Sequence, residues 1–347
     1  MGFEMSCPIP LNEYPVITLA HGSGGTLSHK LLSELFLPVF DNDLLRQEHD
    51  GAIFDIPAGK MAITTDSFVV RPVFFPGGNI GDLAVNGTIN DLVSCGAKPL
   101  YLSAGFILEE GLRTEELWQI VLSMRQAADL AGVQIVTGDT KVVDKGSGDK
   151  IFINTTGVGM VREGLSISPR NCVPGDEIII TGRIAEHGVA VLSARAGLEF
   201  ETTLRSDTAA LNGLLEKVFS RTLNIHVMRD PTRGGIATVL NEICHASGTG
   251  MLLCEDSIPV SEEVKGACEI LGLDPLYIAN EGKMLLIVPG EESRQVLETL
   301  TDHPLGQEAA IIGKVTADHP GILRMKTAIS STRIIDMIAG EQLPRIC

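Results

Sequence analysis

The sequence predicts an α+β protein of two domains. Three observations carry that prediction. The chain has 347 residues, and at about 150 residues per domain this length suggests two. Strand-like and helix-like segments are interspersed, but without the strict alternation of a doubly wound sheet. A turn-rich segment, Ser168-Pro169-Arg170-Asn171-Cys172-Val173-Pro174-Gly175-Asp176, divides the chain near its middle. The expected organisation is an irregular lead over 1–16, an N-terminal domain over 17–168, a C-terminal domain over 169–338 and a tail over 339–347.

The elements follow in order. His21-Gly22-Ser23-Gly24-Gly25 precedes a helical pattern in which Leu27, Leu31, Leu32, Leu35 and Phe36 share a face. Residues 61–65 read as a strand that ends at Asp66. Residues 80–95 read as a helix, despite Gly87, and carry Asn86, Asn90 and Asp91. Residues 101–108 form a further strand. The clearest helix spans 114–131: Glu115 and Glu116 suit its first turn, Leu117, Ile120, Val121 and Met124 form its stripe, and Gly132 stops it. A strand over 133–137 enters Gly138-Asp139-Thr140, and 151–160 is another. In the second domain, strands are expected over 177–182, 251–254, 284–288 and 309–315, with helices between. Asp230-Pro231-Thr232-Arg233-Gly234-Gly235 is a turn opening a helix, and Asn280-Glu281-Gly282-Lys283 leads into a strong strand. The last eight residues have no periodicity and read as a tail.

Composition narrows the function. Lys and Arg number 27 against 44 Asp and Glu, a net charge of −17. So acidic a chain repels polyphosphate, which argues against nucleic acid or an anionic membrane as main partner. A small phosphate ligand is still compatible, because backbone N–H groups and Mg²⁺ can hold it. No apolar run approaches the ~18 residues of a membrane span. The N-terminus carries Glu and Pro where a secretion signal needs basic and apolar stretches. Residues 1–6 fit the loose myristoylation pattern, read here as coincidence. The seven cysteines, at 7, 95, 172, 244, 254, 268 and 347, are odd in number and lack C-x-x-C spacing. That suits a reducing cytoplasm rather than a disulfide framework or thiolate zinc site.

Familiar nucleotide motifs are missing, the P-loop and G-x-G-x-x-G among them. What remains is a set of acids at the ends of elements: Asp50 before Gly51-Ala52, Asp66 after a strand, Asp91 within Ile89-Asn90-Asp91-Leu92, and Asp139 after Gly138. Mg²⁺ on a triphosphate needs a few hard oxygen ligands, which several strand ends could supply together. Taken singly, each Asp equally fits a cap or turn. The run Gly22-Ser23-Gly24-Gly25 could present N–H groups to phosphate, or be an ordinary loop before a helix. Lys141 adjoins any nucleotide held by Gly138, Asp139 and Thr140, or is a surface lysine. Glu281 reads equally as a solvated turn acid. Pro344-Arg345-Ile346-Cys347 ends on a thiol that could serve as a swinging arm carrying a group on sulfur.

In chain order, the His21–Gly25 loop, Thr65-Asp66-Ser67, Phe74-Phe75-Pro76-Gly77-Gly78-Asn79, Asn90-Asp91, Thr137-Gly138-Asp139-Thr140-Lys141, Asp230 to Gly235, Asn280 to Lys283 and the terminal Pro-Arg-Ile-Cys form a recognisable set. Together they resemble the aminoimidazole ribonucleotide synthetase (PurM-like) superfamily and, within it, the carbamoyl dehydratases of hydrogenase maturation. The resemblance runs from about residue 17 to 347. It departs at Asp50-Gly51-Ala52, where relatives tend to have Asp-Ala-Ala.

The resemblance implies a two-domain PurM-like α+β fold, with N-terminal strands closing a barrel across a homodimer. It implies ATP and Mg²⁺. His21, Gly22, Ser23, Gly24, Gly25, Asn90, Gly138 and Thr140 would contact the nucleotide, and Asp50, Asp66, Asp91 and Asp139 the metal. The carbamoyltransferase HypF would load Cys347 with a carbamoyl group. Dehydration to a thiocyanate would follow, with Glu281 as base and Lys141 on phosphate or oxyanion, before the cyano group passes to the HypC–HypD scaffold and on to the iron of [NiFe]-hydrogenase. Two other readings compete. One is a small-molecule enzyme of selenophosphate synthetase or thiamine-phosphate kinase type, although Cys7 lacks the former's glycine-rich setting. The other is an ATP-responsive binding module whose tail docks a partner.

Overall fold

The structure, a computed structural model, describes residues 14–23, 25–47, 51–56, 58–196 and 204–337. Gly24, Asp50, Cys7 and the tail with Cys347 lie outside the described residues. Among the described residues, no helix is long and apolar enough to cross a membrane.

The N-terminal domain is built on a four-stranded sheet of order β1-β6-β4-β5. Its strands are β1 (Met61–Phe68), β4 (Ala97–Glu109), β5 (Gln134–Val143) and β6 (Ile151–Val161), and β2 (Phe74–Phe75) and β3 (Gly78–Asn79) form a separate small ribbon. Only β4 and β5 pair in parallel. Before them come α1 (Thr26–Leu31) and α2 (Leu37–Phe40), joined by a π turn over Leu32–Phe36. The expected single helix is therefore broken, and Leu32 points outward. Pro38, at the start of α2, has no N–H to give the Glu34 carbonyl, so the regular ladder cannot pass through.

Helices α3 (Ile80–Ser94) and α4 (Thr114–Ala131) cover one face of the sheet. The start of α3 is set by a reciprocal cap: Asn79 Oδ1 accepts from Gly81 N–H at 2.8 Å, and Asp82 Oδ1 accepts from Asn79 N–H at 2.9 Å. Most of α3 is buried because it lies between sheet and helix and meets the second domain as well. By contrast, α4 has the expected stripe and stops at Gly132, whose φ of 69° suits a left-handed cap. Among the described residues, α3 and α4 leave the other sheet face uncovered. Met61, Ile63 and Ile107 are exposed there, Ile63 by 70%.

The C-terminal domain holds a seven-stranded sheet of order β13-β12-β9-β11-β7-β10-β8. The strands are β7 (Asp176–Ile180), β8 (Val227–Arg229), β9 (Gly250–Cys254), β10 (Leu285–Pro289), β11 (Ala310–Thr316), β12 (Leu323–Lys326) and β13 (Thr332–Ile334). The helices are α5 (Glu186–Ala196), α6 (Asn212–Phe219), α7 (Gly235–Ser247), α8 (Glu262–Leu271) and α9 (Ser293–Thr301). Successive side chains of the central strands enter different cores. Ile178, Ile180, Leu285 and Ile287 join Ile236, Leu240 and Ile243 of α7. Ile179, Leu286 and Val288 join Leu214, Leu215 and Leu300 on the other side, in a core continuous with the N-terminal domain. This is why β7 and β10 read as unbroken apolar runs.

Two boundaries differ from expectation at places that matter for the site. Asp66 lies inside β1, paired with Thr155 of β6, and does not end the strand. Gly138 to Lys141 are the interior of β5, each paired with a residue of β4, and are not a loop after it. Gly138 hugs its neighbour so closely that a Cβ would lie 2.3 Å from the Ala104 carbonyl oxygen, so only glycine keeps the ladder intact here.

Candidate active site

A cleft of about 850 Å³ opens between β1 and α3 on one side and the β8–α7 connection on the other. Six carboxyl groups line it, and four of them, Asp66, Asp91, Asp230 and Glu281, come together from separate segments, while Asp149 and Glu242 pair with Arg71 and Arg229. Asp66 comes from β1 and Asp91 from α3, where Thr64 Oγ1 donates to Asp91 Oδ2 at 2.7 Å. Asp230 follows β8, and Glu281 precedes β10. The Asp230–Gly235 turn and the Asn280–Lys283 tetrapeptide are sewn together by Asn280, whose N–H and Nδ2 both donate to the Pro231 carbonyl, at 3.1 and 2.8 Å. Gly235, at φ 59°, allows close passage: a Cβ would sit 2.4 Å from the Leu276 carbonyl oxygen.

The acids feel one another. Burial first, and then the charge of Asp91, lifts Asp66 to about 6, with Arg233 opposing. Burial and Asp91 lift Asp230 to about 7. Glu281 is only 7% exposed, and burial, with the charges of Asp230, Asp207, Asp66 and Asp91, holds its carboxyl well above the usual range. Burial and mutual charge thus raise several carboxyls in one cleft, as at functional sites, with Arg71, Arg195, Arg229 and Arg233 also in its lining. Among the described residues, no three His, Cys, Asp or Glu side chains are drawn into a ready metal cage.

The β5 edge of the N-terminal domain gathers a second set. Gly22 presses against β5, where a Cβ would fall 2.6 Å from the Val142 nitrogen. The start of the glycine loop therefore sits against β5 at Val142, next to Lys141 in the chain. His21 is buried within this loop: its Nδ1 accepts from Thr18 N–H at 3.1 Å and lies 2.9 Å from Thr18 Oγ1, while Tyr14 meets the ring edge-on. Ser23 Oγ donates to the Ala20 carbonyl at 3.0 Å. Lys141 Nζ stands 3.0 Å from Asp139 Oδ2, both side chains being exposed. That ammonium, ahead of the Thr140 N–H, keeps Asp139 below the usual carboxylate range.

Asp139, Lys141 and Asn90 do not line the cleft. Asp139 does not meet Asp66 within one chain. Asp66 registers through Thr155 and Ala104 with Gly138, three strand steps away, or about 14 Å at about 4.8 Å per step. Asp139 registers instead with Gly105, Asn154 and Ser67 on the face that α3 and α4 leave uncovered, whereas Thr155 beside Asp66 is wholly buried under α3. Lys141 shares that open face and is likewise remote from Glu281. Asn90 lies at the seam between the domains. It is 1% exposed, its Nδ2 donates to the carbonyls of Ala209 and Glu281 at 3.0 and 3.1 Å, and its Oδ1 accepts from Leu211 N–H at 2.9 Å. Its amide is spent on holding the two domains together.

Sequence reasoning missed Asp230 and Asp207 as site residues. Asp230 had a signal, since it leads the Pro-Thr-Arg-Gly-Gly turn. Asp207 had none, as it sits in a segment without periodicity.

Comparison with known proteins adds to this geometry. Residues 48–161 match the AIR synthase related protein N-terminal domain, and residues 173–326 match the C-terminal domain. Carbamoyl dehydratase HypE of Azotobacter vinelandii is 51% identical over 331 residues, 95% of this chain and 97% of that protein. A crystal structure of hydrogenase maturation protein HypE in complex with ATP is 49% identical, with a TM-score of 0.92 over 95% of this chain and 99% of the other. The HypE chain of a HypE–HypF complex is also 49% identical, with a TM-score of 0.79 over 89% and 99% of the two chains.

Proposed function

Because the chain belongs to the HypE family of carbamoyl dehydratases, among the AIR synthase related proteins, we propose that it dehydrates an S-carboxamide on Cys347 to a thiocyanate with ATP. The product serves as the source of the cyanide ligands of [NiFe]-hydrogenase iron. The carrying observation is the meeting of Asp66, Asp91, Asp230 and Glu281, from both domains, in one cleft. A small-molecule enzyme or a binding module is the weaker reading for a chain half identical to carbamoyl dehydratases over nearly its whole length.

The chemistry follows from need. An amide oxygen is a poor leaving group. Once the carboxamide oxygen carries a phosphoryl group, it can depart as phosphate. Loss of the N–H protons then lets the C–N bond become a nitrile, so one carboxamide and one ATP give one thiocyanate, ADP and phosphate. Glu281 takes the N–H proton. Its sheltered position makes it, once ionised, a stronger base than a surface carboxylate. Mg²⁺ held by Asp66 and Asp91, with Asp50, Asp139 and the newly found Asp230 nearby, would neutralise charge on the phosphoryl group in transfer. The N–H groups of Gly22 to Gly25, together with Gly138 and Thr140, would cradle the nucleotide. Lys141 stays protonated beside phosphate and contacts it.

The two halves of this site lie on opposite faces of one sheet. A homodimer joins them. The exposed Ile63 and Ile107 face is the natural seam of a barrel closed across two chains, and Asp139 and Lys141 of the partner subunit then reach the acids of the first. HypF is the loading partner, supported by the HypE–HypF complex of a relative, and HypC–HypD is the acceptor. Intact mass of the carbamoyl-loaded chain before and after Mg-ATP tests the reaction. Loss of one water at Cys347 is expected; an unchanged carbamoyl group in ATP-bound protein overturns it.

A further inference from the structure

We propose that Asp207, clamped by Lys283, is a positioning residue that holds Glu281 for nitrile formation and thereby couples ATP use to dehydration. The inference rests on Glu281 acting as the base.

Asp207 lies in a segment, 204–211, that has no regular structure yet is tied down from both domains. On the N-terminal side, Ser206 N–H donates to the Pro76 carbonyl at 2.8 Å, and Asn86 Nδ2 donates to Thr208 Oγ1 at 3.1 Å. Asn90 binds the Ala209 carbonyl and the Leu211 N–H. On the C-terminal side, His187 Nδ1 is 2.8 Å from Ser206 Oγ. The strap therefore forms the seam between domains, directly under Glu281.

Asp207 holds the tetrapeptide at two points. Its Oδ1 accepts the Glu281 N–H at 3.1 Å, and its Oδ2 lies 3.2 Å from Lys283 Nζ. Lys283 also faces Glu186 at 3.8 Å. Between the two points, Gly282 touches the strap backbone: a Cβ there would lie 1.7 Å from the Asp207 carbonyl oxygen. The Glu281 carbonyl accepts from Asn90 Nδ2. Both peptide groups of Glu281 are thus pinned, one to the strap and one to α3, and only its side chain is free to enter the cleft.

Stability does not explain this arrangement. The Asp207 side chain is 1% exposed and that of Lys283 11%. Burying such charges costs desolvation that an apolar pair would avoid, so a buried ion pair is weak support for a stability role. A general base, however, must be held to within a fraction of an ångström, and about 1 Å of misplacement costs about a hundredfold in rate.

A loosened Glu281 has a specific consequence. The phosphorylated carboxamide has two exits. In one, base removes the N–H proton and phosphate leaves with the original oxygen, giving the nitrile. In the other, water attacks the carbon and the same phosphate leaves, returning the carboxamide with an oxygen from water. Misplacing the base slows the first exit and leaves the second.

The test uses full-length, carbamoyl-loaded protein with Mg-ATP, measuring phosphate released per thiocyanate formed. Asp207→Asn and Lys283→Met are expected to raise this ratio at least about tenfold, with ¹⁸O from labelled water entering the remaining carboxamide. Lys283→Arg keeps the ion pair and is expected to hold the ratio near that of the unaltered protein. A fold defect lowers both products together, so an unchanged ratio in Asp207→Asn and Lys283→Met overturns the proposal. Glu281→Gln separates the premise from the inference. If it leaves dehydration intact, the base assignment fails. If it uncouples while Asp207→Asn and Lys283→Met do not, the Asp207 assignment fails.

Discussion

Asp66 and Asp139 are the same residue type in the same sheet, and their surroundings are opposite. Asp66 stands at the interdomain cleft, lifted to about 6 by burial and by Asp91. Asp139 is exposed on the face that α3 and α4 leave uncovered and held down by Lys141. One is lifted by burial and a neighbouring acid; the other is held down by its own ammonium. The cleft gathers sheltered acids that hold their protons to higher pH, with Arg229 and Arg233 beside them, while the β5 edge is an ion-paired surface. Only a second chain or a charged ligand gives that edge something to bind.

The sharpest way to break this contrast is at its most buried acid. Glu281→Gln is expected to lower thiocyanate formation by about 10²–10⁴-fold, the usual worth of a positioned base, measured by intact mass after Mg-ATP. Asp91→Asn comes next. It removes the charge that lifts both Asp66 and Asp230, and phosphate release should fall by about a hundredfold, as when one electrostatic contact to a transferring group is lost.

Complementation then sharpens the two-chain reading. Glu281→Gln and Lys141→Ala homodimers should each be poor dehydratases. Mixed dimers should regain activity, because one site then carries both intact residues. No gain on mixing, in protein shown to exchange subunits, would put both halves in a single chain.

Smaller effects test the charge balance. Asp66 and Asp230 keep protons in the folded state that the unfolded chain has lost above its ordinary carboxylate range. Their contribution to stability therefore falls as pH rises from about 4 to 7. Melting of the ATP-free protein should show that slope. Asp230→Asn should flatten it and raise stability near pH 7 by at least about 1 kcal/mol, since Asp230 is lifted to about 7 and each pKa unit is worth about 1.4 kcal/mol. Lys141→Ala, on the exposed side, should change melting by less than about 0.5 kcal/mol, as exposed pairs contribute little. A large melting change there would mean that Lys141 does more for the fold than its exposed pair with Asp139.

Much of this was legible in residue patterns. The α4 stripe and its glycine stop, the Asp230–Gly235 turn and the buried apolar runs of β7 and β10 are local, and local physics sets them. The short strands β8, β12 and β13 were not legible, because segments of three or four residues show no period. Asp139 after Gly138 looked like the end of a strand, since glycine and aspartate mark turns. The neighbouring β4 kept them in the ladder instead.

The site divides in the same way. The amino-acid sequence by itself singled out candidates: Asp66, Asp91, Glu281 and Lys141 stand in motifs of local spacing that resemble those of a family. Tertiary structure alone decided which of them meet. The pleat puts neighbouring residues on opposite faces, so whether two acids share a site depends on strand order and register. Those depend on contacts far apart in the chain. For the same reason Asn90, which reads as a ligand residue, became a clamp between domains, and Asp207, silent in the sequence, came to lie beneath Glu281.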